Sequence, residues 1–421
     1  AAADRDQVID VCLKLRLAGM IGGKRGRVCM HASEDLKRKV GRGGADQLRQ
    51  LVLVRDVVNV LEDRHVEEIS ANGRRARPRL DRVSSLRRAL FGFYLEVRIV
   101  PVLMWSFTAI TLGTGLAAAS GADVSVVGYL AAVAVGALLQ GLVAHGLNEI
   151  SDWDSGTDAD PSPRTISGGS KVIAAGLLGR RGLVLLAVAG ALAATVIGLL
   201  ATAAFGLILL PFGVAGLVGA IIYTLPPVRA AYRPLAGESV AFVCVWACVA
   251  GAYALQSGTV TAGIALVAAA YALACLSMLA LHHLLDREPD LRAAPPKRTT
   301  PAVLGGRATD YALGLGGVAL VLAIVAAVTV ESALSALAIG IGLALVLQWK
   351  IADDDAAQVT KVELGVILAT MTGGLVAAGL MWPPLWFAAL IAAVLVPPDV
   401  ILAGKAAESA HLANVARASR G

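Results

Sequence analysis

Ten stretches of about 20 mostly apolar residues follow one another through the chain. They lie near 99–119, 126–147, 181–201, 203–223, 239–256, 260–283, 311–330, 332–349, 363–381 and 384–402. Each is long enough to cross a bilayer as a helix. Ala, Gly, Val and Leu dominate them, a composition that lets helices approach closely in lipid. The predicted fold is all-α: a polytopic transmembrane helical bundle of nine to ten spans, with a polar, basic N-terminal extension. Nine is the count if the last segment lies in the membrane interface. Residues 1–89 then form a polar region of unassigned role, 90–405 the bundle domain and 406–421 a tail.

Between the apolar stretches, polar loops alternate in kind. The loops after spans two, four, six and eight carry Arg164, Lys171, Arg180, Arg181, Arg229, Arg233, Arg287, Arg292, Lys297, Arg298, Arg307, Lys350 and Lys361. The turns on the other side, such as Ser120–Val124, Ser257–Gly263 and Met381–Pro384, carry no Lys or Arg. The positive-inside rule predicts an integral, multi-pass protein with the long loops and both termini in the cytoplasm.

Composition narrows the class further. The chain is 57% hydrophobic and only 16% charged, against about 25% charged for soluble domains. That excludes a disordered chain, and five cysteines in 421 residues exclude a disulfide scaffold. Charge is also unevenly spread. Residues 1–98 hold 21 Lys+Arg against 13 Asp+Glu, whereas the remainder holds 16 against 18. Ala1–Asp10 lacks the basic-then-apolar order of a secretory signal. Asp46–Ile69 reads as an amphipathic helix or, through its Val-rich middle, a strand. Gly22–Gly26 (GGKRG) lacks the spacing of a phosphate loop. Arg74–Arg88 reads as an anchor on anionic membrane lipids. With no aromatic residues interleaved among its basic ones, nucleic acid is not an expected partner.

Two of the long loops hold more than a connection needs. The first runs from His145 through Asn148, Glu149, Asp152, Asp154, Gly156, Asp158 and Asp160 to Arg164. Asn148 and Asp152 are four apart, so a continuing helix puts them on one face. Asp154, Asp158 and Asp160 follow in a segment free to fold back. Carboxylates and an amide carbonyl at short range suit Mg²⁺. The second loop reads His282-His283-Leu-Leu-Asp286-Arg-Glu-Pro-Asp290, then Lys297-Arg298-Thr299-Thr300. Asp286 and Asp290 repeat the four-residue spacing, although Pro289 can bend the turn. Two acidic pairs, each at a helix end and each followed by basic residues, suit a diphosphate held through Mg²⁺. An allylic diphosphate leaves a stabilised cation on a long apolar tail, which belongs in a helix bundle.

These residues resemble the UbiA-type intramembrane prenyltransferase superfamily, whose aspartate motifs read NDxxDxxxD and DxxxD. The likeness is greatest to the 1,4-dihydroxy-2-naphthoate polyprenyltransferase branch. Asn148, Glu149, Asp152, Gly156 and Asp158 precede Ser167-Gly168-Gly169-Ser170. Tyr223-Thr-Leu-Pro226-Pro227 leads to Arg229, Tyr232, Arg233, Gly237 and Glu238. Asp286 and Asp290 precede Lys297, Arg298 and Thr299. The resemblance covers roughly residues 90–400. It implies a polyprenyl diphosphate donor, Mg²⁺ and a lipophilic or aromatic, quinone-precursor-like acceptor.

By position, Asn148, Asp152 and Asp158 would organise one metal, and Asp286 and Asp290 the other, with Asp152 and Asp286 central to catalysis. Asn148, Arg164, Lys171, Arg229, Lys297 and Arg298 are candidates for holding the donor, and Tyr232 and Arg233 for lining the same cap. Two departures stand out. Glu149 replaces the usual Asp, and His282 and His283 occupy positions where the family has Asn or Asn-Glu. Imidazole suits an acceptor base or a hydrogen-bonding residue at a helix end, and His145 reads the same two ways. The histidines leave room for a different acceptor: a glycerol ether, a sugar phosphate or a specialised aromatic. Cys244 and Cys248 read as packing. Phe212, Trp246 and Tyr253 read as bundle filling or as π faces for a cation. Asp353–Asp355 reads as a solvated cap. A transporter would bury charges at mid-span, and the strong acids lie at helix ends instead.

Overall fold

The computed structural model describes residues 77–159, 169–349, 351 and 355–418. The sequence features before residue 77 lie outside the described residues, as do Asp160, Arg164, Ser167, Gly168, Lys350, Asp353 and Asp354. Among the described residues there is no strand. The bundle, Val83–Gly421, forms one compact unit.

Each predicted span has a helix. These are α1 (Leu86–Ala119), α2 (Val126–Ser155), α3 (Arg180–Phe205), α4 (Leu207–Ile222), α5 (Ala236–Ser257), α6 (Ala262–His282), α7 (Thr300–Thr329), α8 (Ser332–Gln348), α9 (Ala356–Met381) and α10 (Pro383–Ala407). Eight are long and apolar enough to cross a membrane; α4 and α8 are apolar but shorter. Several helices begin or end well outside the apolar stretch that announced them. Thus α2 runs on to Ser155, because His145–Ser155 keeps helical backbone until Gly156 at φ 85° ends it.

Short turns follow α1, α3, α5, α7 and α9, whereas longer segments follow α2, α4 and α6. Small residues set the spacing of the bundle: a Cβ on Gly113 of α1 would lie 2.1 Å from the Val249 carbonyl oxygen of α5. Only a hydrogen atom fits there. Tyr271 of α6 lies at the centre and donates to the Met104 carbonyl of α1 at 2.5 Å. The outward faces of α3, α7 and α10 carry Leu185, Leu192, Val321, Val328, Phe387 and Val394, all exposed. Such faces are stable against lipid, since a helix satisfies its own backbone. In α2, a π-helical stretch at Leu138–Ala144 precedes His145. Such stretches often mark functional sites.

Candidate active site

The buried charges gather at one end of the bundle. Glu96 lies in the first third of α1, Glu149 and Asp152 near the end of α2, Glu238 at the start of α5, Glu363 two turns into α9 and Asp399 in the last third of α10; all are buried. Asp158, Asp286, Asp290 and Lys297, also buried, lie in the loops at the same end. This is the end of the two acidic loops.

The first loop folds as its spacing predicts. Asn148 donates to Asp152 Oδ2 at 2.8 Å along one face of α2. Past Gly156 a single 3-10 turn, Thr157–Ala159, folds the chain back and buries Asp158. Two acids behave otherwise. Asp154 points outward to Arg180, 2.8 Å away on the surface. Glu149 turns to the backbone of the returning loop, accepting from the N–H groups of Ser170 (2.8 Å), Lys171 (3.2 Å) and Ile173 (3.4 Å). Its packing against this loop explains Gly169: φ is 75°, and a Cβ there would come within 2.5 Å of Glu149 Oε2. Ser170 in turn donates to Glu96 Oε2 at 2.7 Å.

The second loop keeps helical register despite Pro289, since Asp290 N–H donates to the Asp286 carbonyl at 2.8 Å. Both carboxylates are buried. Lys297 joins the two loops. Its N–H donates to the Asp290 carbonyl at 2.8 Å, while its ammonium reaches Asp152 Oδ1 and Oδ2 at 3.0 and 2.8 Å. Burial alone would pull the lysine down, but Asp152 and Asp290 hold it well above its ordinary value, and it stays charged. Ala294 N–H to the Ser155 carbonyl, 2.8 Å, is a second tie between the loops. Thr299 caps α7 by accepting from Ala302 N–H.

Tyr232 closes the site from the loop after α4. Its hydroxyl lies 3.4 Å from Asp152 Oδ1, and both Arg229 and Lys297 sit over its ring, at 5.5 and 5.8 Å. Burial, then Asp152, raise its phenol above the ordinary value. Behind it, burial pushes Tyr223 up to about 12, Lys297 opposing.

A cavity of about 440 Å³ opens between these loops and runs among α2, α3, α4 and α5. Asn148, Asp152, Asp158, Asp286 and Lys297 line its polar end, together with His282 and His283. Of the other predicted residues, Asp290 is fully buried and off the cavity wall. Lys171, Arg229, Tyr232, Arg233 and Arg298 are also off the wall. Arg233 donates to the Pro227 carbonyl at 3.1 Å, and Arg298 is exposed. Lys171 and Arg229 hold left-handed backbone, at φ 60° and 45°, a conformation that costs a non-glycine residue roughly 1–2 kcal/mol.

The three histidines separate. His145 faces the Val97 carbonyl, 3.2 Å from Nδ1. Burial above all, with His282 and Lys297, holds His283 down to about 3 against the pull of Asp286, so its ring is neutral. His282 bonds Glu363 of α9, Nδ1 to Oε1, at 2.5 Å. Glu96, Arg98 and Glu363 have no counterpart in the sequence reading. Each is a single charge at the edge of an apolar stretch, a position where side chains ordinarily reach out to the interface.

The apolar end of the cavity is lined by Trp105, Ile110, Leu209, Phe212, Cys244 and Cys248. Of the three aromatics singled out for a cation, only Phe212 lines it. Trp246 stacks behind Phe212 at 6.2 Å and donates to the Ala265 carbonyl, and Tyr253 bonds Ser120. Leu199, Leu210 and Val214 line the cavity and are themselves exposed.

An apolar helical bundle with an oxygen-rich, charged pocket at one end defines a multi-pass integral membrane protein with an enzyme-like site. The UbiA prenyltransferase family model matches residues 106–364, well over half of the chain and both acidic loops. The chain belongs to the UbiA prenyltransferase family and is a prenyltransferase. It is similar in structure to a UbiA homologue from Archaeoglobus fulgidus bound to GPP and Mg²⁺. The identity there is 15% and the TM-score 0.48, covering 68% of this chain and 99% of that one. It is also similar to the apo UbiA homologue from Aeropyrum pernix K1, at 19% identity and a TM-score of 0.47, covering 64% and 97%. A search of curated proteins found no match.

Proposed function

We propose that the chain transfers a polyprenyl group from an allylic diphosphate to an aromatic, quinone-precursor-like acceptor, in the manner of the 1,4-dihydroxy-2-naphthoate branch and so of menaquinone biosynthesis. The observation that carries this reading is the meeting of both acidic loops, through Lys297 and Asp152, at the polar mouth of an otherwise apolar cavity. A diphosphate would lie at the mouth and its tail among Trp105, Leu209 and Phe212. The loops and termini would face the cytoplasm, following the distribution of Lys and Arg.

Among the described residues, no three His, Cys, Asp or Glu side chains stand at metal-binding distances. The donor set nevertheless fits Mg²⁺. Asn148, Asp152, Asp158 and Asp286 present hard oxygen donors to one cavity, with Asp290 behind them; Glu363 adds a carboxylate to the wall, and Lys297 and Arg98 are its cations among the described residues. Carboxylates in such excess need a further cation when ionised. Asn148, Asp152 and Asp158 would hold one ion, and Asp286 and Asp290 another. Bound Mg²⁺ neutralises a diphosphate and assists its departure as a Lewis acid.

The chain's own residues then have defined tasks. Lys297 holds Asp152 in place and presents positive charge at the mouth. Tyr232 covers that pair, and the apolar wall keeps water from the prenyl cation once the C–O bond opens. An electron-rich ring carbon supplies the new bond.

Protein reconstituted in lipid with labelled geranylgeranyl diphosphate, Mg²⁺ and 1,4-dihydroxy-2-naphthoate is expected to form a labelled prenylated product, and EDTA to stop it. Asp152→Ala and Asp286→Ala are each expected to lower turnover by about 10²–10³-fold. Absence of product, with donor binding unchanged in both variants, sinks the proposal.

A further inference from the structure

Nothing in the roles just described uses Glu363. It is fully buried on α9, and its Oε1 meets His282 Nδ1 at the end of α6. Its other oxygen, Oε2, has no hydrogen-bond partner among the described residues. Burying a carboxylate beside apolar helices is costly unless it is paired. Here the pairing partner is one imidazole. Both residues line the cavity, as does Ile367 one turn along α9.

The pair has a defined chemical sense. A carboxylate at Nδ1 keeps the proton on that nitrogen and leaves Nε2 as the ring's acceptor. It also stabilises the imidazolium that forms when Nε2 takes a proton. The neighbouring His283, 5.6 Å away ring to ring, lacks such a partner: its Nδ1 makes no hydrogen bond among the described residues and lies 3.8 Å from Asp290 Oδ2. His145 is tied to a backbone carbonyl. Of the three histidines on the wall, only His282 is backed by a carboxylate at hydrogen-bond distance.

We propose that His282 is the base that takes the hydroxyl proton of a phenolic acceptor, and that Glu363 is its positioning residue. This rests on the prenyl-transfer reading above and adds the acceptor side to it. As the prenyl C–O bond breaks, its electron pair leaves with diphosphate. The acceptor's O–H electron pair moves into the ring as Nε2 takes the proton, and the ring carbon forms the new C–C bond. The product is first a ketone. Return of the displaced ring hydrogen to oxygen as a proton restores the aromatic phenol. His282, now an imidazolium beside Glu363, passes its proton to solvent. The acceptor class that follows is an aromatic with an ionisable hydroxyl next to, or conjugated with, the attacked carbon. A glycerol ether or sugar phosphate has no such ring.

The test uses the full chain in lipid with geranylgeranyl diphosphate, Mg²⁺ and, as probes, 1,4-dihydroxy-2-naphthoate, 4-hydroxybenzoate and 3-fluoro-4-hydroxybenzoate. His282→Ala is expected to lower kcat about 100-fold with donor affinity unchanged, and added imidazole to restore part of it. Glu363→Gln keeps a hydrogen bond to Nδ1 but removes the charge. It is expected to lower kcat about tenfold, and less for the fluorinated acceptor than for its parent, because that hydroxyl needs less help to ionise. A purely structural tie between α6 and α9 would make the loss independent of acceptor acidity. Transfer by the wild type that survives in His282→Ala, or an equal loss for both hydroxybenzoates in Glu363→Gln, overturns the dyad alone. No transfer by the wild type to any of the three overturns the reading beneath it as well.

Discussion

The two acidic loops look alike in sequence and differ in what their charges touch. In the loop after α6, Asp286 and Asp290 are both buried, one on the cavity wall and one behind it. At the end of α2 and in the turn that follows it, the acids divide three ways: Asp152 and Asp158 face the cavity, Glu149 holds the backbone of residues 170–173, and Asp154 meets Arg180 outside. Repetition of a spacing therefore does not mean repetition of a role. The two loops are also not independent sites, because the lysine that follows the second pair neutralises the first.

That dependence can be broken most severely at Lys297. Lys297→Ala leaves Asp152 buried with its strongest partner gone, and is expected to cost about 3–5 kcal/mol of stability, read by thermal unfolding in detergent. Joining it to Asp152→Asn should recover most of that stability and none of the turnover, since both changes remove the same ion pair. Equal losses in the single and double variants would show that the lysine acts elsewhere. Glu149→Gln should have a smaller effect, about 1–3 kcal/mol. An amide cannot accept from all three N–H groups, and protease cleavage between residues 169 and 173 should increase. Asp154→Ala sits at the bottom of the scale. Its exposed pair with Arg180 is worth under about 1 kcal/mol, and both unfolding and turnover should match the wild type.

Much of this was legible from residue order. The spans were, because lipid demands long apolar stretches and leaves little room for other solutions. The aspartates were, because a four-residue spacing places Asn148 beside Asp152 and Asp286 beside Asp290 in any helix. Long-range pairs were not. Nothing local tells that Lys297 reaches Asp152 rather than a free diphosphate oxygen, or that Glu363, eighty-one positions away, meets His282. Direction was hidden as well. Trp246 and Phe212 belong to neighbouring helices that look equally apolar, yet only Phe212 faces the cavity. Glu96 looks like an interfacial charge in sequence and Glu149 like a member of the acidic motif, yet both are turned to hold the loop at Ser170.

Leu199, Leu210 and Val214 line the cavity and are themselves exposed, so the wall is open along α3 and α4. On the proposed prenyl-transfer reading, a tail dissolved in the bilayer would meet the pocket past these side chains, without first passing through water. Each methylene of that tail favours the membrane by about 0.8 kcal/mol, so almost none of the substrate is free in solution. Turnover should then follow the number of donor molecules per lipid. Diluting the membrane with more lipid should slow the enzyme, while adding buffer should leave it unchanged.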